Sequence, residues 1–338
     1  MREPPANLST EALVAALRDQ YGLAATELTF LPLGHDSSAW VYLVELEDGR
    51  RCFLKARLGV TNQASLLVPR YLHDHGVTRV VAPIPARSGA LWAAAGDYAL
   101  ILYPFIEGAT GMERGMAPQQ WVDYGAALRQ IHATPVAPEL ARQMRRETFT
   151  ADGAATVRRL DAAMGAQRHD EPAAQALAAI WAERRPQILA LLERADELGR
   201  RLQQARPPLV LCHADIHTNN LLLDPEQQVW IVDWDETMLA PKERDLMFAI
   251  GGISAKLVGP REEALFLQGY GPAEIDPLAL AYYRYAWALG DIGDFGAQVM
   301  FRPDLGQLTK QEALRFFAGL FEPGEIVSIA FGSVYPAA

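Results

Sequence analysis

The chain is short of cysteine, of positive charge and of long apolar runs. Two cysteines among 338 residues, Cys52 and Cys212, are too few for a disulfide framework. Both fall in apolar, strand-like runs and read as buried thiols of a reducing compartment. Lys and Arg total 31 against 41 Asp and Glu, a net charge of −10. Such a surface repels a phosphate backbone, so nucleic acid is not an expected partner; a cationic small molecule fits better. No stretch approaches the roughly 18 uninterrupted apolar residues of a membrane span, so no membrane association is expected. The opening MREPPANLSTEALVAALRDQ lacks the apolar core of a secretion signal, which gives the expectation of a cytoplasmic protein. There is no internal repeat. What is present is ordinary for a globular chain: 50% hydrophobic and 21% charged residues. The length fits about two domains or lobes.

Patterning separates two regions. In the first, an amphipathic helix follows Thr10 and ends before Gly22. The β-rich runs Leu28–Leu33, Trp40–Glu45 and Arg51–Ala56 come next, the last two joined by Glu47-Asp48-Gly49. Residues 63–75 read as a helix interrupted by Pro69. Tyr98–Phe105 is a continuous apolar run, consistent with a buried strand. The remainder is mainly helical: Gln119–His132, Ala173–Ala205 interrupted at Pro186, Asp276–Gly290, and Lys310–Phe321 with a Thr309/Glu312 capping box. A sheet-rich small lobe, a hinge and a helical large lobe imply a cleft between them.

One island breaks the helical pattern. It reads His213-Ala214-Asp215-Ile216-His217-Thr218-Asn219-Asn220, then LLLDPEQQVW, then Ile231-Val232-Asp233-Trp234-Asp235. Asp224-Pro225-Glu226 turns the chain between two short apolar strands. Asp215 precedes the hairpin and Asp233 ends it, so both aspartates and Asn220 can converge at one end of a small sheet. Phosphoryl transfer needs such a set: a carboxylate that takes the proton of the attacking hydroxyl, and a second carboxylate and an amide oxygen that hold Mg²⁺ on the nucleotide phosphates. The spacing D-x-x-x-x-N, an apolar strand, then Asp is the kinase arrangement. Two other readings compete. In one, Asp215 and Asn220 are only turn caps of a catalytically silent module; in the other, His213, Asp215 and His217 are metal ligands of a hydrolase. The second leaves Asn220 and the IVDWD strand unused. His213 reads as a structural residue of the loop, and His217 as either solvated or close to substrate.

HADIHTNNLLL and IVDWDE resemble the H-G-D-x-H-x-x-N and I-D-W/F-D/E signatures of the aminoglycoside phosphotransferase and choline kinase-like superfamily, with Ala214 where glycine is usual. The resemblance covers nearly the whole chain. It implies an α+β, protein-kinase-like two-lobe fold: a nucleotide-binding lobe over residues 1–108 with a hinge near 103–108, and a helical lobe over 109–338. It also implies that Asp215 is the catalytic base and that Asn220 and Asp233 are Mg²⁺ ligands. Asp235 takes a second acidic position in metal or substrate binding. Lys55 in CFLKAR is then the strand lysine that meets the nucleotide phosphates of ATP or GTP. The turn 34–39 occupies the phosphate-loop position with Ser37 and Ser38, although neither a G-x-G-x-x-G loop nor a Walker A motif is present. Tyr103 and Phe105 fall at the adenine-binding hinge. An acidic residue such as Asp245 is expected to brace the catalytic loop. One departure stands out: no Asp or Glu occurs between Ala56 and Leu72, so the helix glutamate that usually pairs with the lysine is missing.

LVPRYLHDHGV, APIPARSGALW, YALILYPFIEGATG and QWVDYGAALRQIH resemble the spectinomycin-type branch. The implied acceptor is a hydroxyl of spectinomycin or a related aminocyclitol or aminoglycoside. A metabolic kinase of choline, homoserine or a sugar-like alcohol is the alternative. Tyr283, Trp287, Asp291 and Asp294 follow helical spacing and form a candidate face for a cationic acceptor. The competing reading makes the aromatics core and the aspartates solvated. No D-F-G or A-P-E segment bounds an activation loop, which argues against a protein substrate. A monomer or a homodimer is expected.

Overall fold

The computed structural model describes residues 4–5, 7–32, 38–59, 62–166 and 171–336. Backbone contacts divide the chain into two compact units: Met1–Met144 with Asp215–Thr237, and Arg145–Ala214 with Met238–Ala338. The island therefore belongs to the first unit from Asp215 onward.

The first unit carries a five-stranded antiparallel sheet, ordered β1 (Ala25–Leu31), β2 (Ala39–Leu46), β3 (Arg51–Leu58), β5 (Tyr98–Pro104) and β4 (Ala93–Ala95). Strand alternation divides β3 between two faces. Cys52, Leu54 and Ala56 are buried in a core with Tyr42, Val44, Leu100 and Leu102. Phe53, Lys55 and Arg57 point to the opposite face. Helix α1 (Thr10–Ala16) closes the core with Leu13 and Leu17. Its cap is Ser9, whose hydroxyl accepts from the Ala12 N–H at 3.2 Å, one residue before the expected start. A π-type turn, Leu17–Tyr21, continues it to Gly22, whose φ of 73° suits a residue without Cβ.

Helix α2 (Ala64–Asp74) runs unbroken through Pro69, contrary to the expected interruption. The ring removes one intrahelical bond, to the Ser65 carbonyl. Burial of Leu66, Val68 and Leu72 offsets that local loss. Beyond β5 the chain presses against the island: a Cβ on Gly108 would lie 2.2 Å from the Leu223 carbonyl oxygen. Ala109–Thr110 then pairs with Leu221–Leu223, which pairs in turn with Val229–Ile231.

The second unit combines a three-stranded sheet (Arg145–Arg146, Met238–Ala240, Val210–Cys212) with helices. Pro172–Ala205 is continuous through Pro186, again without the expected break. Pro277–Phe301 is longer than the pattern indicated and includes Asp291 and Asp294. It packs against Pro172–Ala205, Ala154–Ala166 and Gln307–Gly319. The last of these starts at a Gly306 cap, so Thr309 and Glu312 sit inside the helix and form no capping box. Among the described residues, no helix is long and apolar enough to cross a membrane.

Neither cysteine forms a disulfide, and both are buried. Burial raises the pKa of each thiol, most strongly at Cys212, whose Sγ donates to the Ala240 carbonyl at 3.5 Å. A raised pKa means less thiolate than in a free cysteine, and thiolate is the reacting form. The native protein should leave a chromogenic disulfide reagent unreacted at pH 8 and release both thiols only in denaturant. Rapid labelling of either under native conditions would contradict this burial.

Candidate active site

In the second unit, the strand Val210–Cys212 delivers the chain to His213 and Ala214, both fully buried. Ala214 has φ +70°, a left-handed conformation that costs a residue with Cβ about 1–2 kcal/mol. The side chain that holds it there is Asp245, itself fully buried. One carboxylate oxygen accepts from the His213 N–H at 2.9 Å, the other from the Ala214 N–H at 2.7 Å. This is the brace expected of Asp245. Asp245→Ala strands two buried donors and should cost on the order of 2–4 kcal/mol, read as a lowered denaturation midpoint. A midpoint within about 0.5 kcal/mol of wild type would rule out the brace.

In the first unit, Asp215 follows directly. The Asn220 Nδ2 donates to the Asp215 carbonyl at 2.7 Å and to its Oδ2 at 3.1 Å. His217 Nε2 lies 3.3 Å from Oδ1. His217 also caps the 3₁₀ turn Thr218–Asn220, its Nδ1 accepting from the Asn219 N–H at 3.2 Å. An Nδ1 that accepts leaves the proton of a neutral ring on Nε2, so His217 donates to Asp215. Below the loop, the Tyr124 hydroxyl donates to the Ile216 carbonyl at 3.0 Å. Both oxygens of Asp215 are thus held by donors, and the carboxylate is oriented before anything binds.

The hairpin sets the next two groups side by side. Asp224 shapes its turn, accepting from the Gln228 N–H and the Trp230 Nε1, both at 2.7 Å. The Val232 N–H donates to the Asn220 carbonyl at 3.1 Å, one step beyond the Ile231–Leu221 pair. Ile231 is also clamped by Arg79 and Val81. Asp233 therefore emerges next to Asn220. It is exposed, has φ +62°, and among the described residues makes no hydrogen bond or ion pair. Because Nδ2 of Asn220 is taken up by Asp215, its Oδ1 is the atom left for a cation. A carboxylate without a partner beside an amide oxygen is a donor set that fits Mg²⁺.

Lys55 finds the acid that α2 does not supply. Its Nζ lies 3.2 Å from Asp235 Oδ2, and Arg57 Nη1 lies 3.3 Å from the same oxygen. Asn62 Nδ2 donates to the Asp235 carbonyl at 2.9 Å, while its own Oδ1 accepts from the Ala64 N–H at 3.0 Å. The one acid of α2, Asp74, is bound to Arg70. Lys55, Arg57, Asn62, Asp235 and Tyr103 line one shallow recess. Burial, with Asp235 and Asp233 nearby, pushes the Tyr103 hydroxyl far up and keeps it neutral. Phe105 lies under the Arg51 guanidinium at 5.0 Å.

The structure thus joins Lys55, Tyr103 and Asp235 in one recess, and Asp215, His217 and Asn220 in one hydrogen-bonded loop. Ser38 immediately precedes β2, its carbonyl accepting from Leu58 N–H; Ser37, with most of the expected phosphate turn, lies outside the described residues. Asp291 and Asp294 lie in the second unit, half-buried and exposed respectively, and both are engaged by neighbouring groups. Tyr283 is buried, and the Arg244 guanidinium lies 5.7 Å from its ring and 5.4 Å from that of Trp287. Sequence reasoning missed Arg57 and Asn62. Two-residue strand spacing placed Arg57 on the face of Lys55; nothing comparable marked Asn62.

Comparison with known proteins follows the same line. The model of the phosphotransferase enzyme family matches residues 29–283. The protein StrN of Streptomyces griseus is 27% identical over 290 residues, 80% of this chain and 79% of its own. The aminoglycoside 3′-phosphotransferase of Streptomyces ribosidificus is 33% identical over 97 residues, 26% of this chain and 37% of its own. Among solved structures, a spectinomycin phosphotransferase in complex with ADP and spectinomycin aligns with a TM-score of 0.89 at 31% identity, covering 97% of this chain and 99% of that one. An amicoumacin kinase, at 19% identity and a TM-score of 0.62, shares the fold. The chain, an antiparallel-sheet lobe joined to a helical lobe, belongs to the phosphotransferase enzyme family and is a small-molecule kinase that uses a nucleotide to phosphorylate a hydroxyl.

Proposed function

We propose that the chain transfers the γ-phosphoryl group of ATP to a hydroxyl of spectinomycin or a closely related aminocyclitol, with Mg²⁺ as cofactor. The observation that carries the acceptor is the likeness to a spectinomycin phosphotransferase over 97% of the chain at a TM-score of 0.89. Asp215 accepts the proton of the attacking hydroxyl, the oxygen bonds to the γ-phosphorus, and the bond to the bridging oxygen of ADP breaks. Lys55 meets the nucleotide phosphates. Asn220 Oδ1 and Asp233 hold Mg²⁺, which when bound neutralises charge on those phosphates. Tyr103 and Phe105 form the adenine side. The Asp291 and Asp294 carboxylates attract the acceptor's ammonium groups.

The test is acceptor-stimulated ADP release by the purified chain. Spectinomycin should give saturable turnover, and the product should carry one phosphate by mass spectrometry. Turnover with choline, ethanolamine or homoserine and none with spectinomycin would reassign the acceptor and leave the phosphotransferase standing.

A further inference from the structure

Strand β3 brings two cations, not one, to the carboxylate of Asp235. Lys55 and Arg57 are two residues apart and so share a face, and both meet Oδ2, at 3.2 and 3.3 Å. The side chains are mostly shielded: Lys55 and Arg57 are each 20% exposed and Asp235 is 35% exposed. The backbone of Asp235 is fixed separately by Asn62, which also caps the start of α2. The acid is therefore held at three points, and only one of them is Lys55. In α2 no carboxylate competes for the role, since Asp74 is engaged by Arg70.

We propose that Asp235 is the positioning counter-ion of Lys55, and that Arg57 is the residue that keeps Asp235 in place when Lys55 turns to the nucleotide phosphates. The inference rests on Lys55 as the phosphate-binding lysine. A lysine paired with one carboxylate alone must break that pair to bind phosphate. A carboxylate shared with a guanidinium gives the lysine up more readily and still defines where it sits. Arg57 thus sets how available Lys55 is, and Asp235 sets where it is.

The two roles give effects of opposite sign on metal-free nucleotide binding, measured by calorimetry with ADP in EDTA on the full chain. Asp235→Asn removes the competing anion, so ADP should bind about 3–10-fold tighter, while kcat with acceptor falls at least about tenfold because Lys55 loses its register. Arg57→Gln leaves Asp235 to Lys55 alone, so ADP should bind about 3–10-fold weaker, and Arg57→Lys should restore binding to within about twofold. Adenosine, which has no phosphate, should bind all variants alike and reports their folding. The Arg57 pair carries the test should Asp235→Asn fail to fold. The proposal is overturned if Asp235→Asn binds metal-free ADP no more tightly than wild type, if its effect appears only with Mg²⁺ present, as for a metal ligand, or if Arg57→Lys fails to restore what Arg57→Gln loses. The overturning results are all read from nucleotide binding without acceptor, so a wrong acceptor assignment leaves the test intact.

Discussion

Asp215→Asn should lower kcat by about 10²–10⁴-fold, the usual contribution of a positioned base, with nucleotide affinity unchanged. The substitution keeps the size of the side chain and removes the group that takes the proton. It is not quite silent in structure. His217 Nε2 and Asn220 Nδ2 donate to the two oxygens of Asp215. An amide offers one oxygen and one NH₂, so one of the two donors must face another donor. That should cost about 0.5–1.5 kcal/mol of stability, far less than the catalytic loss. The distinguishing observation is the split: saturation with nucleotide stays normal while turnover collapses. A variant with near wild-type kcat on its own acceptor would show that another group takes the proton.

Motifs gave away the chemistry because phosphoryl transfer fixes residue types at fixed spacings. Asp215, Asn220 and Asp233 were legible for that reason, and so was the hairpin, since Asp224-Pro225-Glu226 is strong turn chemistry between apolar runs. Lys55 was legible only through the resemblance, which put it on the strand CFLKAR. Its partner was not. Asp235 lies 180 residues away, and no local pattern encodes an ion pair across that separation. Helix boundaries failed where tertiary packing overrode local preference. Local preference makes Pro69 and Pro186 breaks, yet the helices run through them because the buried residues on either side keep both halves in line: Val68 and Leu72 around the first, Trp181 and Ile188 around the second. The helix expected over Asp276–Gly290 runs on as Pro277–Phe301. In the structure Gly290 is an interior position of a helix whose flanking Leu289 and Ile292 are buried.

Asp233→Asn should reduce turnover by at least about 10²-fold, beyond the 10–100-fold typical of residues one shell removed from a metal. The reason lies in what Asp233 does not do in the free protein. It is exposed and makes no hydrogen bond or ion pair among the described residues, so its removal withdraws nothing from folding. Its φ of +62° is one that aspartate and asparagine tolerate and alanine does not, which is why the asparagine variant is the cleaner probe. Only the charge offered to the cation is lost, and the apparent affinity for Mg²⁺ should weaken in step with turnover. Asn220→Ala should behave differently. It removes a neutral oxygen from the cation and also the Nδ2 that fixes Asp215 at 2.7 and 3.1 Å. Excess Mg²⁺ should therefore recover part of the loss in Asp233→Asn and little of the loss in Asn220→Ala, because added metal cannot re-aim the base. Titrating Mg²⁺ against initial rate in both variants measures the difference. Wild-type turnover that persists in EDTA, or an Asp233→Asn variant whose metal dependence matches wild type, would remove Asp233 from the metal site.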